Sequence, residues 1–377
     1  MWRALANDAA FAPVIIAAPY QHPYPPEGGP DAIFGFLTKQ GVPFVRWDRF
    51  AFTPGFADVL FVQNPYDQTR PPLLHVPHLL KLVPRLAYVP YGLEIGGGER
   101  NNGMVMNMPL QQLAWFVGAR SERQRQAYAR HCASGNAHVK VTGHAKLDAL
   151  RDLASLRTPV LDRFASGRKL VAWNPHFDVR PNQTPWGEGF STFTRWFDFI
   201  LGEFERRRRE LALVIRPHPL FFGTLEARRI WTRAQTDAFM RRIVRAGNIV
   251  IDREASYLPL FARADALMSD ASSFVLEFAA TGKPLLYLHN PQGPQLNDDG
   301  EFVRDHCYWG EQEEQLRTFL DQTAAGEDPR GAARRQAFPH YLHQPKGGAG
   351  EAVKAALLAR LICEAAPAGH ADTCTCR

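Results

Sequence analysis

The chain has 377 residues, 45% of them hydrophobic, with 44 Lys+Arg against 38 Asp+Glu for a formal charge of +6. That length suits about two ordinary domains. So slight a basic excess fits an anionic ligand or an anionic membrane surface, and it lacks the concentrated positive charge of a dedicated nucleic-acid binder. No run approaches the ~20 apolar residues that a spanning helix needs. The N-terminus has no long apolar core of a signal peptide, so a cytoplasmic location is expected.

In chain order, the apolar run 14–18 reads as a short buried strand closed by Pro19. A Pro/Gly-rich loop over 23–30 leads to a helix over 31–40 with Asp31 at its N-cap. Further strands are expected at 42–47, 58–63 and 87–90. A second series starts near Pro159, with strands at 170–173, 211–215, 248–251, 266–268 and 285–288. Helices are expected over 190–210, from Ser272 to Thr281, and over 349–364. Strands alternating with helix-length segments predict doubly wound parallel sheets. The expected division is 1–155, 156–348, a last helix 349–364 that crosses back, and a disordered tail 365–377. Five scattered cysteines argue against a disulfide framework, and no metal site is expected from Cys374 and Cys376 alone.

In doubly wound folds ligands bind at the carboxyl ends of strands. Three chemically rich segments fall there: Asn174-Pro175-His176, Arg216-Pro217-His218 and Asp270-Ala271-Ser272-Ser273. The last leads into a helix, where free N–H groups attract phosphate and the Ser272 and Ser273 hydroxyls add donors. The plainer reading is an ordinary Ser/Asp cap. Glu277, one turn on, suits ribose hydroxyls or simply the helix dipole. Pro217 and Pro219 fix His218 for acid–base or phosphate-donor work. The expectation is an imidazole at the cleft mouth that works best protonated, with a nearby phosphate raising its pKa. His176 has the same placement. In the first series, Asp67 and Arg70 follow one strand, and Tyr91-Gly92 with the run Gly96-Gly97-Gly98 follow another. Flexible glycines there let backbone approach a ligand. No P-loop, G-x-G-x-x-G, HExxH or G-x-S-x-G is present. The run Arg206-Arg207-Arg208-Arg209 closes an amphipathic helix. It suits the helix dipole, or docking on anionic lipid.

Taken together, Arg216-Pro217-His218-Pro219, the segment 269–277, Thr281-Gly282-Lys283-Pro284, the junction 141–148 and the turn 346–350 resemble the CDP-glycerol glycerophosphotransferase family of teichoic-acid and capsule enzymes. Ala145 stands where that family usually has Pro. The resemblance implies a GT-B fold: two Rossmann-like domains facing across a cleft, with the donor nucleotide on the second. It implies His218, Ser272 and Ser273 at the donor pyrophosphate, Glu277 near ribose, and Arg216, His176, Asp270 and Lys146 as further substrate contacts. An alditol phosphate would pass from a CDP-linked donor to a hydroxyl of a cell-envelope glycan, releasing CMP, with no cofactor. The family's N-terminal catalytic histidine is replaced: the matching segment reads Val89-Pro90-Tyr91-Gly92. Tyr91, the catalytic candidate by position, is a poor base at neutral pH, so either another group such as Asp67 or a histidine takes the proton, or the chain is a divergent branch with different chemistry. The alternatives are a GT-B glycosyltransferase using a nucleotide sugar and a non-catalytic scaffold keeping a degenerate site.

Overall fold

A computed structural model describes residues 1–22, 29–179 and 189–365, except for the side chain of Ser272. Most of the loop expected at 23–30, and the tail from 366 onward, lie outside the described residues.

Among the described residues, twelve short strands form three parallel sheets. β1 (Ile16–Ala17) and β2 (Val45–Arg46) pair by themselves. β3 (Leu60–Val62), β4 (Leu86–Tyr88), β5 (Phe116–Ala119) and β6 (Val139–Val141) form a four-stranded sheet in that order. The remaining six are β7 (Lys169–Asn174), β8 (Leu211–Ile215), β9 (Ile249–Ile251), β10 (Ala266–Ser269), β11 (Leu285–Leu288) and β12 (Tyr308–Gly310). They form one sheet ordered β12-β11-β10-β7-β8-β9. Read from β9, this is the 3-2-1-4-5-6 order of a dinucleotide-binding domain.

The central strands of this sheet are continuous apolar runs because both faces are covered. Val171, Trp173, Leu213, Ile215 and Met268 pack into one core cluster. Their neighbours Leu170, Ala172, Ala212, Val214 and Leu267 pack into another on the opposite face. Period-two alternation thus feeds two cores from one strand. The helix Phe193–Arg206 covers the first face with Phe193, Trp196, Ile200 and Phe204. Its closing arginines have a structural use: Arg206, Arg207 and Arg317 all pair with the buried Glu203 carboxylate. Arg208 and Arg209 are exposed. No helix among the described residues is long and apolar enough to cross a membrane.

The helix Ala349–Ala365 comes after the second series yet packs on the first sheet. Its Val353 and Leu357 share a core with Leu5, Ala87, Val89 and Phe116. Asp148, from the junction segment, caps it by accepting from the Ala349 and Gly350 amides at 2.8 and 2.9 Å. The halves also meet at a built contact. Arg120, at the end of β5, donates to Asp299 at 2.8 and 2.5 Å, and both side chains are under 5% exposed. Beside it the glycine run forms an antiparallel bridge between Gly96 and Leu296, with the Gly97 amide 2.5 Å from the Gln295 carbonyl. A Cβ on Gly97 would sit 2.5 Å from the Leu296 carbonyl oxygen. Gly97 therefore admits another backbone where the sequence reading expected a ligand, while Gly98 has open space at its Cβ position.

Candidate functional site

Strand order in the six-stranded sheet reverses between β7 and β10, which are neighbours. At such a reversal the connecting loops leave in opposite directions and open a crevice at the carboxyl ends. Asn174-Pro175-His176 follows β7 and Asp270-Ala271-Ser272-Ser273 follows β10. Arg216-Pro217-His218 follows β8 on the same edge.

Hydrogen bonds lock these loops together. His218 donates its amide to the Pro175 carbonyl at 3.2 Å, and the Asn174 side chain donates to the Arg216 carbonyl at 2.6 Å. The His176 and His218 rings stand 5.6 Å apart, each packed 4.5 Å from Phe177. In both, Nδ1 faces a backbone amide two residues on: Asp178 N at 3.2 Å and Leu220 N at 3.1 Å. An Nδ1 that accepts carries no proton, so each neutral ring holds its hydrogen on Nε2. Burial pushes His176 down to about 4. Burial, with His176 and His22 beside it, pushes His218 well below its ordinary value. In these surroundings the His218 ring is held neutral, with its hydrogen on Nε2.

The helix Ser272–Ala279 has Ala271 at its N-cap, which supplies no side-chain cap. Amides at such a helix start suit an anion. Ser273 faces the first half: a Cβ built on Gly92 lies 3.5 Å from Ser273 Cβ.

Several expected contacts have other work. Asp270 is fully buried: Oδ1 accepts from the His176 amide at 2.7 Å, and Oδ2 from the Thr192 amide and hydroxyl at 2.5 and 2.8 Å. It ties the loop after β10 to the loop after β7, and burial raises it to about 6. Arg216 pairs with Asp252 at 2.7 Å, which neutralises it and joins the ends of β8 and β9. Asp67 pairs with Arg70 and accepts from the Val76 amide at 3.1 and 3.2 Å, holding its own loop to the helix Val76–Leu79. Tyr91 is 45% exposed. Desolvation, with Tyr66 and Glu94 beside it, holds the phenol well above its ordinary range. It is therefore not a base at neutral pH, and Asp67 is a scaffold carboxylate.

Lys146 and Glu277 do meet. Nζ lies 2.9 Å from Oε1, joining the junction segment to the helix behind the phosphate loop. The Tyr257 hydroxyl lies against the same carboxylate. Glu277 Oε2 is buried and has no hydrogen-bond partner.

Two groups that the motifs did not signal border the site. His144 is buried, accepts from the Lys146 amide at 3.3 Å and is pushed down to about 3 by burial. Glu94 lies two residues beyond Gly92, and its Oε1 comes within 2.5 Å of a Cβ built on that glycine. Its side chain is 19% exposed. Burial raises its pKa, partly offset by Arg120 and Lys146. Only a fold that brings the carboxyl ends of β4 and β10 together could identify it.

No known family and no curated protein matches the sequence. Solved structures do match its fold. S. aureus MnaA, determined with UDP, is 12% identical with a TM-score of 0.63 over 96% of this chain and 92% of that one. The Methanocaldococcus jannaschii UDP-GlcNAc 2-epimerase, determined with UDP-GlcNAc and UDP, is 17% identical with a TM-score of 0.61 over 94% of each chain. A further UDP-N-acetylglucosamine 2-epimerase is 13% identical with a TM-score of 0.62 over 97% and 91%. These likenesses support the fold that the motif resemblance implied and stop short of its glycerophosphotransferase chemistry. The chain has the GT-B fold, with two Rossmann-like halves built on parallel sheets.

Proposed function

We propose that this chain is a transferase that holds a nucleotide-activated donor by its diphosphate at the crevice between β7 and β10. The observation that carries this reading is that the loops bearing His176, His218 and the start of the helix Ser272–Ala279 are hydrogen-bonded together at that crevice. On this reading the second half, 156–348, binds the donor and the first, 1–155, presents the acceptor hydroxyl. His218 and His176 donate to phosphate oxygens as charge builds on the leaving nucleotide. Such preorganised donors favour the transition state over the ground state. Ser272, Ser273 and the amides at that helix start hold the same phosphates. Glu277, with Lys146 against it, faces the ribose.

Two donor classes follow from two observations. The ordered motifs around His218, the segment 269–277 and the turn 346–350 favour a CDP-linked alditol, with CMP leaving. The structural likeness to proteins determined with UDP and UDP-GlcNAc favours a uridine nucleotide sugar. Fold does not separate them. The reading includes a cell-envelope glycan as acceptor and peripheral contact with anionic lipid through the exposed Arg208 and Arg209. Calorimetry with UDP, CDP and CMP, followed by nucleotide-release assays with CDP-glycerol and UDP-GlcNAc, tests it. CMP release supports the alditol donor and UDP release the sugar donor. Absence of binding by all three nucleotides refutes the reading and favours a non-catalytic scaffold.

A further inference from the structure

We propose that Glu94 is the base that takes the proton from the acceptor hydroxyl. The inference rests on the transferase reading above and names the group that this reading lacks on the first half. A transferase of this kind needs a proton acceptor opposite the diphosphate, and the residues considered from sequence do not supply it. Tyr91 stays protonated, and Asp67 is held by Arg70 and the Val76 amide. His144 already has its Nδ1 occupied by the Lys146 amide.

Glu94 has the position. A single point beside the Gly92 backbone is 2.5 Å from Glu94 Oε1 and 3.5 Å from Ser273 Cβ. The carboxylate therefore stands directly across from the phosphate loop. It also has the freedom. Among the described residues its ion pair is to Arg120 Nη1, at 3.8 Å, longer than a hydrogen bond; Arg120 meets Asp299 more closely, at 2.5 Å through Nη2, and its Nη1 has no hydrogen-bond partner there. The backbone holds Glu94 in place: its carbonyl accepts from Arg120 and from Asn297, at 2.7 and 2.9 Å, and its own amide donates to the carboxylate.

The surroundings suit proton transfer. Arg120 and Lys146 supply positive charge, Glu277 negative charge, and the phenols of Tyr66, Tyr88, Tyr91 and Tyr128 lie within electrostatic reach. Burial outweighs the two cations and raises the carboxyl above its ordinary value. A base nearer the working pH is a better match for its task.

The step balances as follows. The acceptor O–H gives its proton to Glu94 while its oxygen bonds to the electrophilic atom of the transferred group. The bond from that atom to the nucleotide's terminal phosphate oxygen breaks, and its electron pair stays on the released nucleotide. Glu94 then returns the proton to solvent. Water takes the acceptor's place in donor hydrolysis, so the full chain can be assayed without a known acceptor.

The experiment compares wild type, E94Q and E94D by UDP, CDP and CMP calorimetry and by nucleotide release from CDP-glycerol and UDP-GlcNAc between pH 5 and 9. The wild type should show a rate that rises with pH as Glu94 loses its proton. E94Q should bind nucleotide and donor within about threefold of wild type and lose about 10²–10⁴-fold in kcat, and the rising limb should vanish. E94D keeps the carboxylate with a shorter reach and should give an intermediate rate with the limb present. It carries the test should E94Q not fold. E94Q that keeps both its rate and its rising limb overturns the proposal and leaves the transferase reading standing. So does a folded E94D whose rate and profile match E94Q. A wild type that binds no nucleotide, or releases none, overturns the reading itself and this proposal with it.

Discussion

His218 has two nitrogens with different tasks, and two substitutions separate them. Nδ1 accepts from the Leu220 amide at 3.1 Å and so holds the loop after β8. Nε2 carries the hydrogen that the proposed site offers to phosphate. In His218→Asn the side-chain oxygen falls near the place of Nδ1, so the loop bond survives and the donor is lost. In His218→Gln the amide nitrogen falls near the place of Nε2, so the donor survives and the loop bond is lost. A hydrogen bond to a charged group is worth about 1.5–3 kcal/mol, so the asparagine variant should bind UDP or CDP about 10- to 150-fold more weakly, by calorimetry. Its melting temperature should stay within about 1–2 °C of wild type. A neutral loop bond is worth about 0.5–1.5 kcal/mol, so the glutamine variant should bind better than asparagine and melt a few degrees lower, at roughly 2–4 °C per kcal/mol. If asparagine binds nucleotide like wild type, Nε2 is not a phosphate donor and the assignment of His218 is wrong.

Other outcomes follow from the same coordinates. Gly97→Ala places a Cβ 2.5 Å from the Leu296 carbonyl oxygen and should cost about 1–3 kcal/mol in urea unfolding. Gly103→Ala, inside the helix Gly98–Met106 with open space at its Cβ, should instead gain about 0.5–1 kcal/mol; equal effects would contradict the close approach described at Gly97. Asp299→Ala leaves Arg120 buried without its partner and should cost about 3–5 kcal/mol by the same measurement; a loss below about 1 kcal/mol would show that the contact between halves is not tightly closed. His144 has a folded pKa of about 3, below its unfolded value. Below about pH 6.5 the unfolded chain therefore binds a proton there that the folded chain does not, and stability falls with pH at up to about 1.4 kcal/mol per unit. His176 acts in the same direction down to about 4. Asp270, raised to about 6, opposes them by gaining a proton in the folded state first. Relative to the wild type, His144→Asn should lose less stability between pH 6.5 and 5, measured by urea unfolding; a wild-type slope in the variant would mean that His144 titrates normally.

Much of the scaffold is local and was therefore legible in the sequence. The runs 170–173, 211–215 and 285–288 read as strands and are strands; that they are buried on both faces came with the fold, where two cores draw on alternate residues of each. The loops after β7, β8 and β10 stood out because prolines, histidines and serines crowd the places where apolar runs stop. Tertiary structure decided what each polar group there does. Asp270 and Arg216 sit in the expected loops, yet their charges are spent on the His176 and Thr192 amides and on Asp252. Those partners are 36 to 94 residues away along the chain, a separation no spacing rule reads. Gly96 and Gly97 looked like a ligand loop and proved to be the place where two backbones cross, because a missing Cβ admits either. Glu94 carried no motif at all. A carboxylate acquires its chemistry from what surrounds it, and Gly92, Ser273, Arg120 and Lys146 surround Glu94 only after the loops that follow β4 and β10, in separate sheets, have been brought together by the two halves.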